Sequence, residues 1–429
     1  MPFIGNKPSA VPLTSADITD GILTSAKMAA GTAGLLDWQS VHTSATLTAV
    51  AGRGYYLNTT SNAITVTLPA SPSAGNQIAL VDYAGTFDTN ALTINPNGNK
   101  IEGGTDNVQL TGEREGVTLT FTDATQGWLV SSGINEGTDA LSPEPNSVDF
   151  LVIAGGGGGG SAIYASTDGG GGGAGGYRNS YLTESSGGGG SSEASLIFTT
   201  STVYTITVGA GGNGGAASYV IPSNRGSNGN ASSISGSNIT TITSVAGGGG
   251  GAYQTAAQSG GSGGGGEGDV QLTGGSGTAN QGFAGGNGSS PLGGGGGGAG
   301  AVGVAGSSTG NGGAGLSSSI TGSSVARAGG GGGGTNSGTA GAGSSGGGNG
   351  GVDAAGNNAT ANTGAGGGGA GFASSPPNGA YAGGNGGSGV VILRMKTSKY
   401  SGTTTGSPTV TTDGSDTVIV FNSSGTITG

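Results

Sequence analysis

The chain has 429 residues, 22 acidic side chains against 11 basic ones, a net charge of −11, no cysteine and one histidine. Disulfide staples and thiolate metal sites are excluded, and His42 alone cannot build a histidine metal cluster. An acidic chain without a basic run has no electrostatic footprint for nucleic acid, and no apolar run approaches the ~18 residues of a membrane-spanning helix.

Residues 1–37 read as an attachment segment. The opening MPFIGNKPSAVPLTS has no basic stretch followed by an apolar one, so no secretory leader is expected. Pro2, Pro8 and Pro12 keep the first dozen residues extended. A weak helical pattern follows through Leu23, Lys27 and Met28. The segment carries too little apolar surface to fold alone, so it is expected to order against a partner or against copies of itself.

Residues 38–147 carry conventional globular patterning. Trp38 opens the region and Trp128 closes its patterned part. Between them come YYLNTT at Tyr55, AITVTLPASPSAGN at Ala63, QIALVDYAG at Gln77, ALTINPNGNKI at Ala91 and GVTLTFTD at Gly116. Short strands at this spacing, separated by turn residues, predict a β-sandwich-like or meander module. Asn97-Gly98 is a tight-turn signal. So small a module has a modest core, which oligomerisation would assist.

Residues 148–396 are a glycine field: 85 of the 106 glycines lie between Gly155 and Gly389. Glycine-rich chains usually behave as flexible linkers. Three features argue for a fold instead. The strand-like runs VDFLVIA at Val148, TVYTITVGAGGNGG at Thr202 and GSGVVILRMK at Gly387 abut the tracts. The tracts recur at similar lengths. Only six acids and three arginines lie between Gly155 and Gly389, fewer than a solvated disordered region carries. Helix is disfavoured by about 1 kcal/mol per glycine. The remaining regular form is the left-handed threefold helix, with a rise of about 3.1 Å per residue and no internal hydrogen bonds. Its backbone groups would all bond neighbouring rods, packed closely because no Cβ intervenes. Ala or Ser is then tolerated only where a rod faces outward. Residues 397–429 form a short C-terminal β segment. The fold class is thus an all-β N-terminal module followed by a polyglycine II-type sandwich, with little helix.

Gly54 to Gly103, with TDATQGWLV at Thr122, resembles a β module of bacteriophage tail fibres, and Ala16 to Thr32 resembles the piece that often precedes it. VDFLVIAGGGGGG at Val148 and GGNGGSGVVILRM at Gly383 are similar to the glycine-rich domain of phage adhesins. The resemblance implies a virion protein, homotrimeric, attached by its N-terminus to tail or baseplate proteins and binding a host-cell receptor through loops at the tip of a polyglycine sandwich. Strings like the C-terminal Lys399 to Gly429 often precede such a domain, so their position here departs from the pattern and leaves their role open.

Catalytic readings find little. No lysine follows a glycine, so a phosphate loop is excluded. GGEGD at Gly265 falls one residue short of a calcium β-roll repeat and does not recur. A serine triad needs a histidine base, and only His42 exists. Glu113 and Glu115, flanking Arg114, are the nearest thing to paired carboxylates, and are expected on one exposed face. No enzyme activity, catalytic residue, metal or cofactor is expected. If successive rods alternate in direction, the distal interludes are Ser161 to Asp168, Ala252 to Ser259, Ala301 to Thr309 and Phe372 to Ala382. The candidate receptor residues are then Tyr164, Tyr253, Phe372, Pro376, Pro377, Asn378 and Tyr381, since aromatics in small polar loops stack on sugars or fill protein pockets at low entropic cost. Their other role would be to cover the end of the bundle. A structural spacer without a receptor and a polysaccharide-depolymerising tailspike are the competing functions.

Overall fold

The computed structural model describes residues 36–134, 142–163, 167–219, 222–270, 272–372 and 379–429. The attachment segment thus lies outside the described residues up to position 35. The chain divides into two compact units between Glu144 and Pro145. The described part is nearly all β, with one 3-10 turn at Thr397–Lys399.

The described residues of the first unit form ten strands: β1 (Asp37–Trp38), β2 (Thr46–Thr48), β3 (Arg53–Leu57), β4 (Ile64–Thr67), β5 (Gln77–Asp82), β6 (Leu92–Asn95), β7 (Val108–Leu110), β8 (Gly116–Asp123), β9 (Gly127–Ile134) and β10 (Ser142–Pro143). One sheet has the order β1-β3-β5-β8-β9 and the other β10-β7-β6-β4-β2. Alternating side chains of both enter one core, with Tyr55, Leu57, Ile78, Leu80 and Leu119 from the first and Ile64, Val66, Leu92, Ile94 and Leu110 from the second.

The winding differs from a hairpin sandwich. β1 to β6 step alternately from one sheet to the other, so β1-β3-β5 and β2-β4-β6 pair in parallel. The result is a short two-sided coil closed by antiparallel β7 to β10. Its ladders stack like on like, Ile64 on Leu92, Thr65 on Thr93 and Val66 on Ile94, which keeps each coil's apolar residues over the core. Asn97 and Gly98 do form a tight turn with φ of 53° and 81°, but it opens the long connection from β6 to its antiparallel partner β7 and is not a two-residue hairpin. His42 serves the backbone, its Nε2 lying 3.0 Å from the Thr46 carbonyl.

The second unit starts with β11 (Asn146–Ile153), followed by β12 (Tyr177–Asn179), β13 (Leu196–Phe198), β14 (Val203–Thr207), β15 (Ser232–Ser235), β16 (Ile242–Ser244), β17 (Leu316–Ser318), β18 (Val325–Arg327), β19 (Val390–Lys396), β20 (Thr409–Asp413), β21 (Asp416–Phe421) and β22 (Gly425–Thr428). β11 and β19 lie antiparallel at the centre of one sheet. Val148, Phe150 and Val152 of β11 enter a core with Tyr204, Ile206, Ile234 and Ile427 of the sheet β16-β15-β14-β22. Leu151 and Ile153, on the opposite face, meet Tyr177 and Ile320 in a second core. The C-terminal segment completes both sheets, β21 pairing with β19 and β22 with β14. Arg394 ties β20 and β21 down, with Nη1 2.8 Å from Asp413 and Nε 2.9 Å from Asp416.

From this root the glycine tracts run out and back as rods. Along one tract the backbone N–H groups of Gly170, Gly171 and Gly172 donate to Gly251, Gly294 and Gly367, on three different rods, at 2.7–3.0 Å. Gly173, Ala174 and Gly175 then return to the same three rods at Gly248, Gly297 and Gly364. Contacts repeating every third residue are the signature of the threefold helix. Carbonyls fill the space that side chains would need: a Cβ on Gly172 would stand 2.1 Å from the oxygen of Gly157, and one on Gly160 1.9 Å from that of Gly251. At the surface the rule relaxes with the same period. In the tract 209–215, Gly209, Gly212 and Gly215 are buried while Ala210 and Asn213 face solvent. Where no rod lies opposite an edge N–H, an asparagine carbonyl takes its place. Asn228 accepts from Gly249 at 2.9 Å, Asn311 from Ala342 at 2.8 Å and Asn385 from Gly214 at 2.8 Å.

The substitution Gly172→Ala is therefore expected to destabilise the second unit by about 3 kcal/mol or more, because every neighbour of the new methyl is backbone. Asn213→Ala, on an outward face, should stay within about 0.5 kcal/mol of the parent. Thermal melts of the two variants check the contrast.

Candidate functional site

Rod direction alternates. The N–H groups of Gly157 and Gly160 donate to Gly173 and Gly170, an antiparallel pairing, whereas Gly212 and Gly215 donate to Gly156 and Gly159, a parallel one. One set of turnarounds therefore stays at the root beside the sheets. The other set gathers at the opposite end of the unit, the tip.

At the tip, Ala252 and Thr255 exchange both backbone hydrogen bonds, at 3.0 and 2.7 Å, leaving Tyr253 half-buried on the turn. Ala162 and Tyr381 exchange theirs at 3.0 Å each. Phe372, only 9% exposed, packs with Ala162, Ala370 and Tyr381 over the ends of their rods. Its aromatic surface is spent on covering the bundle, and Tyr381 is half-buried beside it. Tyr164, Pro376, Pro377 and Asn378 lie outside the described residues.

Two of the expected tip segments are shorter than the sequence suggests. After Thr255 the chain already runs back as a rod, with the Gln258 N–H donating to Gly249 at 2.9 Å. Ala301 lies at the root, accepting from Gly298 at 3.0 Å, and the tip is reached only near Ala305 to Gly310. Edge rods admit Gln, Ala and Val on their outward faces, so purity of glycine does not mark where an edge rod ends.

Behind the tip loops lie two acids with no sequence motif. Asp168, 1% exposed, stands at the head of the tract 169–175. Its Oδ1 accepts the Phe372 N–H at 3.1 Å, whereas Oδ2 is buried with no hydrogen-bond partner among the described residues. Asn336 Oδ1 is likewise buried with no partner among the described residues. Burial drives the Asp168 carboxyl up to about 7, helped by the negative charges of Asp353 and Glu267, while the N–H groups of Phe372 and Asn336 pull the other way. Glu267, fully buried, closes its own rod by accepting the Asp269 N–H at 2.8 Å and that of Val270. The GGEGD string is thus a rod terminus. Among the described residues no three acidic or histidine side chains converge as metal ligands would.

Glu113 and Glu115 in the first unit do not share an exposed face. Glu113 is exposed, and Glu115, 2% exposed, accepts the Gly112 N–H at 2.7 Å inside a turn. The turn leaves one carboxylate outside and draws the other in.

What could have flagged Asp168 and Glu267 is scarcity. In a field of 235 residues with six acids, one placed directly against a glycine tract must sit where rods end.

A family model described as a glycine-rich domain matches residues 134–396, more than half of the chain. No curated protein matches it.

The Asp168 carboxyl is raised in the fold above its unfolded range near 4, so its stabilising effect is complete below about pH 4 and is lost as pH rises to about 7. A shift from 3.8 to about 7 corresponds to roughly 4 kcal/mol at most. Asp168→Asn should remove this loss while keeping the bond to Phe372. Melts at pH 5 and pH 8 should show the parent gaining stability on acidification relative to the variant.

Proposed function

The chain belongs to the glycine-rich domain family, and from that premise we propose that it is a bacteriophage virion fibre or adhesin. Its N-terminus fixes it to tail or baseplate proteins, and the tip of the glycine-rich unit binds a receptor on the host-cell surface. The observation that carries this reading is the alternation of the rods. It separates a root held by two apolar cores from a tip at which short, varied loops stand on a rigid backbone lattice. Loops can change there without disturbing the lattice, because the lattice is made by backbone atoms alone. A spacer would need the rods but not the varied loops with Tyr253 and Tyr381.

Attachment and trimerisation belong to the first unit in this reading. Its outer face carries Trp38 and Tyr56, 44% and 37% exposed and stacked at 4.7 Å, apolar surface that copies of the chain could share.

Labelled full-length protein should bind cells of the infected bacterium saturably and, added in excess, should block adsorption of the virus. Tyr253→Ala should lower cell binding about tenfold, the loss of one aromatic anchor, without changing the melting temperature. If the parent protein binds no cells and competes with nothing, the chain is a spacer.

A further inference from the structure

We propose that the groove between residues 222–228 and the segment Thr255–Gln258 binds a carboxylate-bearing sugar unit of a surface polysaccharide, gripped by Arg225. The proposal rests on the adhesive reading above and names the chemistry of one of its contacts.

The groove measures about 610 Å³, within the range of small-ligand sites. It exists because two edge rods both donate backbone hydrogen bonds to a third, while along the groove itself only side chains pass between them. Gly226 and Gly229 donate to Gly250 and Gly247, while Gln258 and Gly261 donate to Gly249 and Ala246. The space between is bridged by the Gln258 side chain. In its hydrogen-bonded orientation, the Gln258 amide nitrogen donates to the Gly226 carbonyl at 3.1 Å and to Asn228 Oδ1 at 3.0 Å. Its oxygen accepts from Arg225 Nη2 at 3.1 Å. Toward the tip the groove is closed by the Ser223 N–H donating to the Tyr253 carbonyl at 3.1 Å and by Thr255 Oγ1 donating to Ser223 at 2.9 Å.

Arg225 is therefore an exposed arginine positioned by a neutral amide. Among the described residues it forms no salt bridge, whereas Arg178 pairs with Glu193 and Arg394 with Asp413 and Asp416. In a chain of net charge −11, an arginine held open in this way offers its remaining N–H fork to an external anion, and the planar fork matches a carboxylate with two parallel bonds. The remaining lining is polar apart from Pro222 and Gly226, with Asn224 and Ser227 exposed beside the guanidinium. Such walls suit a ligand covered in hydroxyl groups and offer no apolar pocket for the side chains of a peptide.

The test uses the full chain, as parent, Arg225→Ala and Arg225→Lys, titrated calorimetrically with galacturonate oligosaccharides, with neutral galactose oligosaccharides of equal length and with inorganic phosphate. The parent is expected to bind the galacturonate series at least about tenfold more tightly than the neutral one. Arg225→Ala should lose about tenfold to a hundredfold in that affinity, and Arg225→Lys, which keeps charge but not the fork, should lose less. Because Arg225 is exposed, unchanged melting temperatures should accompany these losses. Failure of the parent to bind galacturonate, equal binding of both series, unchanged binding by Arg225→Ala, or full displacement by phosphate each overturns the proposal. Cell binding run in parallel separates this proposal from the adhesive reading. Retention of cell binding by Arg225→Ala refutes the groove alone, whereas absence of cell binding by the parent refutes the adhesive role.

Discussion

The second unit depends on a carbonyl oxygen occupying the place of a missing Cβ. With only hydrogens on Cα, a rod can approach until the oxygen of its neighbour sits about 2 Å from where a methyl carbon would be, as at Gly172 and Gly160. That approach brings the N–H groups within bonding distance of rods on three sides. It also admits weak Cα–H···O contacts, each of small energy and all repeated along the lattice. Ordering a residue costs about 1–2 kcal/mol and a hydrogen bond returns about 1, so an incomplete lattice would not hold. The asparagines at the edges follow from the same need, since an N–H without a rod opposite is satisfied by a side-chain carbonyl.

Such a lattice has no side chains with which to choose its register, and the ends supply that choice. At the root, β11 and β19 present apolar residues on both faces, so the rods leave from two apolar cores already fixed in place. Alanines enter the rods where the second of those cores meets them, as at Ala174, Ala299 and Ala328. At the tip, Phe372 covers the ends of rods and Asp168 caps one at the expense of its own solvation. The first unit works by the opposite principle, its side chains filling a core around Trp128 and Phe121.

The rods were legible because glycine purity has few explanations once strands flank it, and their threefold contacts follow from chain geometry. The coil of the first unit was not legible. Alternating runs such as ITVT and LTIN look the same whether the chain returns beside itself or crosses to another sheet, and only the pairing of Ile64 with Leu92 distinguishes them. At the tip, aromatic scarcity pointed to Tyr253 and Tyr381, but it could not separate a half-exposed ring from Phe372, whose burial depends on Ala162 more than two hundred positions away. Arg225 carries no motif at all. Its significance lies in what fails to stand across the groove, and that is a property of Gln258 and of the rod behind it.

Hydrogen exchange of the glycine amides tests the rod lattice most directly. The lattice predicts slow exchange through the interior tracts 155–160, 169–174, 293–298 and 329–334, at rates matching the amides of β11 and β19. Exchange in those tracts at the rate of an unstructured chain, with protection confined to the strands, would contradict it and leave the glycine field a linker.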